Sequence, residues 1–199
     1  MSSTPNAKPG RTPLRDDVIV LLAARAGLRA CEIARLTWGI MPEACLRHDV
    51  LDPTGKVAPV IEVRSAISKR GSGRRVPMHR ELRRAIRTWK AQLPADRTVP
   101  DAVIVPSLRG GTMRANSIVN WFVASCRRHA GMECREAGLV GCSSHSGRRT
   151  FITNAARRAH WAGASLRDVQ VLAGHRSIET TQGYIDGDSD AQRRLVALI

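Results

Sequence analysis

Aromatic side chains are scarce in this chain: its 199 residues hold four Trp, two Phe and one Tyr. Any chemistry that needs a phenol therefore rests on Tyr184. Taken alone that position says little, because a lone tyrosine usually packs its ring and hydrogen-bonds its hydroxyl. Acidic residues are few as well. Seventeen Asp and Glu face 32 Lys and Arg, for a net charge of +15 and a pI near 11.3. Such an excess needs a partner to neutralise it, and nucleic acid is the usual one, a solvated basic surface being the plain alternative. The basic residues are mostly arginines spread along the chain, and guanidinium forks suit phosphate oxygens better than ammonium point charges do.

Other absences narrow the field further. The cysteines, Cys31, Cys45, Cys126, Cys134 and Cys142, are odd in number and include no Cys-x-x-Cys pair. That favours a reducing compartment over a disulfide framework. Cys126, His129, Cys134 and Cys142 follow none of the usual zinc-ligand spacings, so core or surface thiols are expected there and no metal site. No apolar run reaches transmembrane length, and the N-terminus lacks the apolar core of a signal peptide. A cytoplasmic, nucleoid-associated protein without membrane contact is expected. Internal repeats and low-complexity blocks are absent.

What is present reads as one mostly helical domain. Residues 1–14, rich in Ser, Thr, Pro and Gly, are expected to be a flexible tail, with the domain over 15–199. An apolar helix, DDVIVLLAARAG, is followed by a short one over 30–36. Val57, Ile61, Val63 and Ile67 alternate with polar residues, SKRGSGRR makes a glycine-bearing turn and VPM returns, so 57–78 reads as a β-hairpin. Helical spacing marks 80–93, with Leu82, Ile86, Trp89 and Leu93 inward, then 115–130 and 147–160. Ser165 and Asp168 form a capping-box pattern for a helix closed by Gly174, and Ser177 is placed to cap a last helix carrying Tyr184. The tail ends in an apolar stripe, Leu195, Val196, Leu198 and Ile199.

A tyrosine that cleaves a phosphodiester would need help. Its pKa is near 10, so the proton must be drawn off. The attacked phosphate gains charge, which fixed guanidinium groups would stabilise. The leaving 5′-oxygen wants a proton from a positioned acid. Residues of these types stand in recognisable motifs. AGLRACEIARLTW (26–38) resembles the first arginine box of the tyrosine recombinases, the phage integrase family. HSGRRTFITN (145–154) resembles its His-x-x-Arg box, and LAGHRSIETTQGYI its closing Leu-x-Gly-His with a tyrosine nine residues on. ISKRGSGRRVP resembles the family's mobile hairpin, although Arg70, Arg74 and Arg75 crowd Lys69.

The resemblance covers residues 15–199. It implies an α+β, mainly helical catalytic fold with a small antiparallel sheet. Arg29, Lys69, His145, Arg148, His175 and Tyr184 would be the catalytic set, supported by Glu32. The implied activity is site-specific DNA recombination of the integrase or invertase type, through a 3′-phosphotyrosine and with neither metal nor cofactor. Double-stranded DNA would be the partner, with a homotetramer on synapsed DNA and weak association or a monomer without it. DNA relaxation in the manner of type IB topoisomerases, or a non-catalytic DNA-binding module, are the alternatives. The long intervals from Arg29 to Lys69 and from Arg148 to His175 imply insertions at LRHDVLDPTGKVAP and HWAGA. The family's N-terminal DNA-clamping domain has only a short tail in its place here, so the chain is expected to be a trimmed or single-domain form. The apolar C-terminal stripe would dock on a neighbouring subunit or pack within its own.

Overall fold

The computed structural model describes residues 13–39, 49–68, 71–128, 145–184 and 196–197. Helix α1, Pro13–Ala26, opens with a proline, tolerated because a first-turn N–H has no intrahelical partner. It takes in Pro13 and Leu14 from the stretch expected to be tail. Apolar residues line most of α1, the pattern of a central helix, and Val18, Ile19, Leu22, Ala23 and Ala26 are fully buried. Helix α2, Ala30–Arg35, follows after a three-residue turn.

The hairpin forms as expected but with shorter strands. β1, Val60–Val63, pairs antiparallel with β2, Arg74–Pro77, in the register Val60↔Pro77 to Val63↔Arg74. Val57 lies outside the ladder, in an isolated bridge with Leu51. Alternation sends Arg74 and Val76 inward and leaves Arg75 and Pro77 exposed. In the described part of the expected first insertion, Asp52 closes a tight turn by accepting from the N–H groups of Thr54 and Lys56.

Helix α3, Arg80–Gln92, buries Leu82, Ile86 and Trp89 and lies on α1. The Trp89 indole donates to the Ile104 carbonyl (2.8 Å), satisfying its one polar atom in the core. Helix α4, Ala115–Arg128, buries Ile118 and Phe122 and packs on α2. These elements share one core cluster with α1, α2 and the hairpin. Of the cysteines and histidine expected not to form a zinc site, the side chain of Cys126 and all of His129, Cys134 and Cys142 lie outside the described residues.

The last three helices form a smaller unit. α5, Ser146–Arg158, lies along α1, and a single 3₁₀ turn, His160–Ala162, links it to α6, Leu166–Ala173. Ile152, Val169 and Ala173 are its buried centre. The expected capping box is formed in full: the Ser165 hydroxyl accepts from the Asp168 N–H, and the Asp168 carboxylate accepts from the Ser165 N–H (2.8 Å). Helix α6 ends at Gly174 (φ +64°) in a Schellman motif, with His175 N–H on Gln170 O and Gly174 N–H on Val171 O. A Cβ on Gly174 would also meet Arg74 Cδ at 3.0 Å. Gly174→Ala is therefore expected to lower the unfolding free energy by about 1–2 kcal/mol from the left-handed backbone alone, as read by urea denaturation.

The final helix, α7, is shorter than expected. It spans Ile178–Gln182, and Gly183 caps it with bonds to Glu179 O and Thr181 O, so Tyr184 lies just past the helix rather than on it. Ser177 stands at the N-cap but makes no capping bond; its hydroxyl is 3.2 Å from that of Thr180. Of the C-terminal stripe only Val196 is described, and it is exposed. No helix among the described residues is long and apolar enough to cross a membrane.

Candidate active site

The site is assembled at the C-terminal end of α6. A helix leaves its last carbonyls without intrahelical partners and carries a partial negative charge there. The Schellman motif satisfies earlier ones, and the next three are taken by three arginines from different elements. Leu172 O accepts from Arg74 Nε (2.8 Å), Ala173 O from Arg148 Nη2 (2.6 Å) and Gly174 O from Arg29 Nη2 (3.4 Å). Three guanidinium groups, from β2, α5 and the N-cap of α2, thus converge on one helix end.

Glu32 organises two of them. It is wholly buried, and its carboxylate is saturated with four hydrogen bonds. Oε1 accepts from Arg29 Nη1 and Arg74 Nη1, both at 2.9 Å. Oε2 accepts from the Arg29 backbone N–H (2.8 Å) and from Arg74 Nη2 (2.9 Å). The backbone bond is one half of a capping box; the other half is closed to Arg29, because a guanidinium has no acceptor. Burial would raise the Glu32 pKa, but the Arg74 hydrogen bond and charge, helped by Arg29, bring it below the ordinary value.

Arg148 is 2% exposed. Besides Ala173 O it donates from Nη1 to Gly27 O, at the end of α1. Gly27 has φ +63°, and a Cβ there would collide with the ring of Phe151, so glycine lets α5 close on this turn. Burial, then the charges of Arg29 and Arg74, lower the Arg148 pKa to about 10. It stays charged at neutral pH. Three arginines against one carboxylate leave the pocket in positive excess, an environment that calls for an anion.

His175 follows Gly174 directly. Its Nδ1 is 2.9 Å from the hydroxyl of the buried Thr181, and its ring stacks on that of Tyr184, with centroids 5.5 Å apart and planes at 23°. Burial, then Arg148, Arg29 and Arg74, push its pKa down to about 4. The folded state thus disfavours a proton that the unfolded chain takes up near 6.5. Stability from this group is complete above pH 6.5 and is lost as pH falls from there toward 4. Histidine ¹⁵N NMR of the DNA-free protein should place the His175 midpoint near pH 4; a midpoint above 6 would contradict this electrostatic picture.

The described elements thus bring together Arg29, Arg148, His175 and Tyr184, with Glu32 beneath them. Tyr184 reaches the His175 of its own chain, held by a Thr153 hydroxyl bond to its carbonyl (3.1 Å). His145 is exposed at the N-cap of α5, at the head of the helix that carries Arg148, and its ring does not cap that helix. Lys69 lies outside the described residues. Sequence reasoning passed over Arg74 and Thr181. Arg74 had a signal: two residues before the inward Val76, it shares the buried face of β2. Among the described residues no cluster of three or more His, Cys, Asp or Glu is placed to hold a metal ion.

Residues 3–190 match the family model described as Phage integrase family. The chain belongs to the phage integrase family. Among its curated relatives, tyrosine recombinase XerD of Pseudomonas putida is 33% identical over 176 residues, 85% of this chain and 49% of that protein. Tyrosine recombinase XerC of Nitrobacter winogradskyi is 28% identical over 88% of this chain and 47% of its own. The chain spans about half the length of the curated relatives it matches. The fold is shared with the Tn1549 transposon integrase, solved in complex with a circular intermediate DNA (TM-score 0.65, 20% identity, covering 100% of this chain and 68% of that one). It is shared also with XerA recombinase (TM-score 0.62, 22% identity, 94% and 57%). The α+β, mainly helical expectation holds.

Proposed function

We propose that this chain is the catalytic unit of a site-specific DNA recombinase that breaks and rejoins DNA by metal-independent phosphoryl transfer. The observation that carries this reading is the convergence of two buried-side guanidinium groups, a neutral imidazole and the chain's one phenol in a pocket with surplus positive charge. In the proposed step the Tyr184 oxygen attacks the scissile phosphorus and the P–O5′ bond breaks, leaving a 3′-phosphotyrosine and a 5′-hydroxyl. The reaction is a transesterification: one phosphodiester is exchanged for another, so no external energy source is required. His145 takes the phenol proton, and Lys69 returns one to the leaving oxygen.

Arg29 and Arg148 hold the non-bridging oxygens. Each keeps further N–H groups beyond those committed to carbonyls and Glu32, since a guanidinium has five. Fixed beforehand by the α6 carbonyls, they need little reorganisation as charge develops. With the Thr181 hydroxyl donating to Nδ1, the His175 proton sits on Nε2 and donates to a non-bridging oxygen. Rejoining follows when the 5′-hydroxyl of a partner strand attacks the phosphotyrosine, on double-stranded DNA synapsed by a homotetramer in the cytoplasm. Glu32 supports the set through Arg29.

A nicked suicide substrate tests the reading, because loss of the 5′-hydroxyl fragment traps the covalent intermediate. A protein–DNA adduct that survives denaturation, together with recombination between two sites on one plasmid, is expected. No adduct on any substrate would refute it, and relaxation without recombination would point to a topoisomerase.

A further inference from the structure

We propose that Arg74 is a positioning residue that locks the hairpin, α2 and the C-terminal end of α6 into one unit, holding Arg29 and His175 in register. This rests on the strand-transfer reading above. The Arg74 side chain is 2% exposed, and each of its three nitrogens has a fixed acceptor: Nη1 and Nη2 on Glu32, Nε on Leu172 O. The two acceptor groups belong to different elements. Glu32 lies in the first turn of α2 and also grips Arg29 by side chain and backbone. Leu172 lies in the last turn of α6, three residues before His175, and the stem of Arg74 passes over Gly174 between them. Ser72, two residues before β2 in the same hairpin, adds a hydroxyl bond to Gly174 O (3.4 Å).

Charge balance alone does not explain this residue. Arg29 already pairs with Glu32, and a third cation beside Arg29 and Arg148 adds like-charge repulsion, to which both Arg148 and His175 respond. The planar fork supplies what an ammonium lacks, namely simultaneous, directional bonds to a carboxylate and a helix-end carbonyl. Small displacements of reacting groups are costly, so a residue that fixes the spacing of Arg29 and His175 acts on rate without touching DNA.

The test compares wild type with Arg74→Lys, which keeps the charge and loses the fork, and with a core variant of α3, Leu82→Ala, as a stability control. In the DNA-free proteins, histidine ¹⁵N NMR should show the His175 signals displaced in Arg74→Lys and unmoved in Leu82→Ala. On the suicide substrate, Arg74→Lys should form adduct about 10- to 100-fold more slowly while binding DNA within about threefold of wild type. Unmoved His175 signals in Arg74→Lys, adduct at the wild-type rate, or an equal slowing in Leu82→Ala would each overturn the proposal. If wild type itself forms no adduct, the strand-transfer reading fails, and the NMR comparison still decides whether Arg74 positions His175. Should Arg74→Lys not fold, Gly174→Ser, which crowds Arg74 with its guanidinium retained, should displace the same signals; unmoved signals there overturn the proposal as well.

Discussion

Tyr184→Phe should abolish covalent attachment to DNA while leaving the fold in place. The substitution removes one oxygen. The ring remains to stack on His175, and the Tyr184 carbonyl still accepts from Thr153. The half-buried ring packs at the edge of the small cluster around Ile152, Val169 and Ala173, contacts that phenylalanine repeats. Unfolding free energy should change by no more than about 1 kcal/mol. Activity should respond very differently, because the chain has no second phenol to take over. Loss of the attacking atom should cost at least about 10³-fold. A denaturing gel of the suicide-substrate reaction reads the adduct, and thermal unfolding reads the fold. An adduct that persists in the phenylalanine variant would sink the assignment of Tyr184.

Glu32→Ala should produce the largest loss of stability. Glu32 is the carboxylate that holds both Arg29 and Arg74, and all four of its acceptor positions are filled. Its removal strips Arg74 of two partners and Arg29 of two, and leaves three neighbouring cations without a counter-charge. Breaking a buried pair in this way costs about 3–5 kcal/mol, against a typical total of about 5–15 kcal/mol for a domain. The variant should therefore be marginal or unfolded at room temperature. A urea midpoint equal to that of wild type would show that the arginines need no carboxylate.

The same carboxylate shapes the response to acid. Its folded pKa lies below its ordinary value of 4.5, so its contribution is complete above that pH and is lost as pH falls through the folded pKa. His175 adds an earlier loss between 6.5 and about 4. Stability of the wild type should thus begin to fall below pH 6.5 and fall further below 4.5.

Much of this was legible in the chain. Periodicity placed the helices, because an apolar residue every third or fourth position has to face a core whatever that core contains. Ser165, Asp168 and Gly174 fixed the bounds of α6 by local hydrogen bonding and a left-handed turn, which depend on few neighbours. One glycine was passed over: Gly183 ends α7 early, and the helix expected to carry Tyr184 stops at Gln182. Motif order pointed to Arg29, Arg148, His175 and Tyr184, and the described elements bring these four together.

Tertiary structure decided the rest. Which arginines turn inward was not readable from an excess of arginine spread along the whole chain. Arg74 looked like a rival to Lys69 and proves to be the second grip on Glu32, because strand alternation and the end of a helix far off in sequence meet at that point. The unpaired carbonyls of Leu172, Ala173 and Gly174 draw in three guanidinium groups that no local pattern associates. Composition and motif order determined which chemical groups this protein has and the family to which it belongs. Only the packing of α6 against α5 and the hairpin, with Arg29 reaching it from the N-cap of α2, determined how those groups are held, since a helix end exerts its field through space and not along the chain.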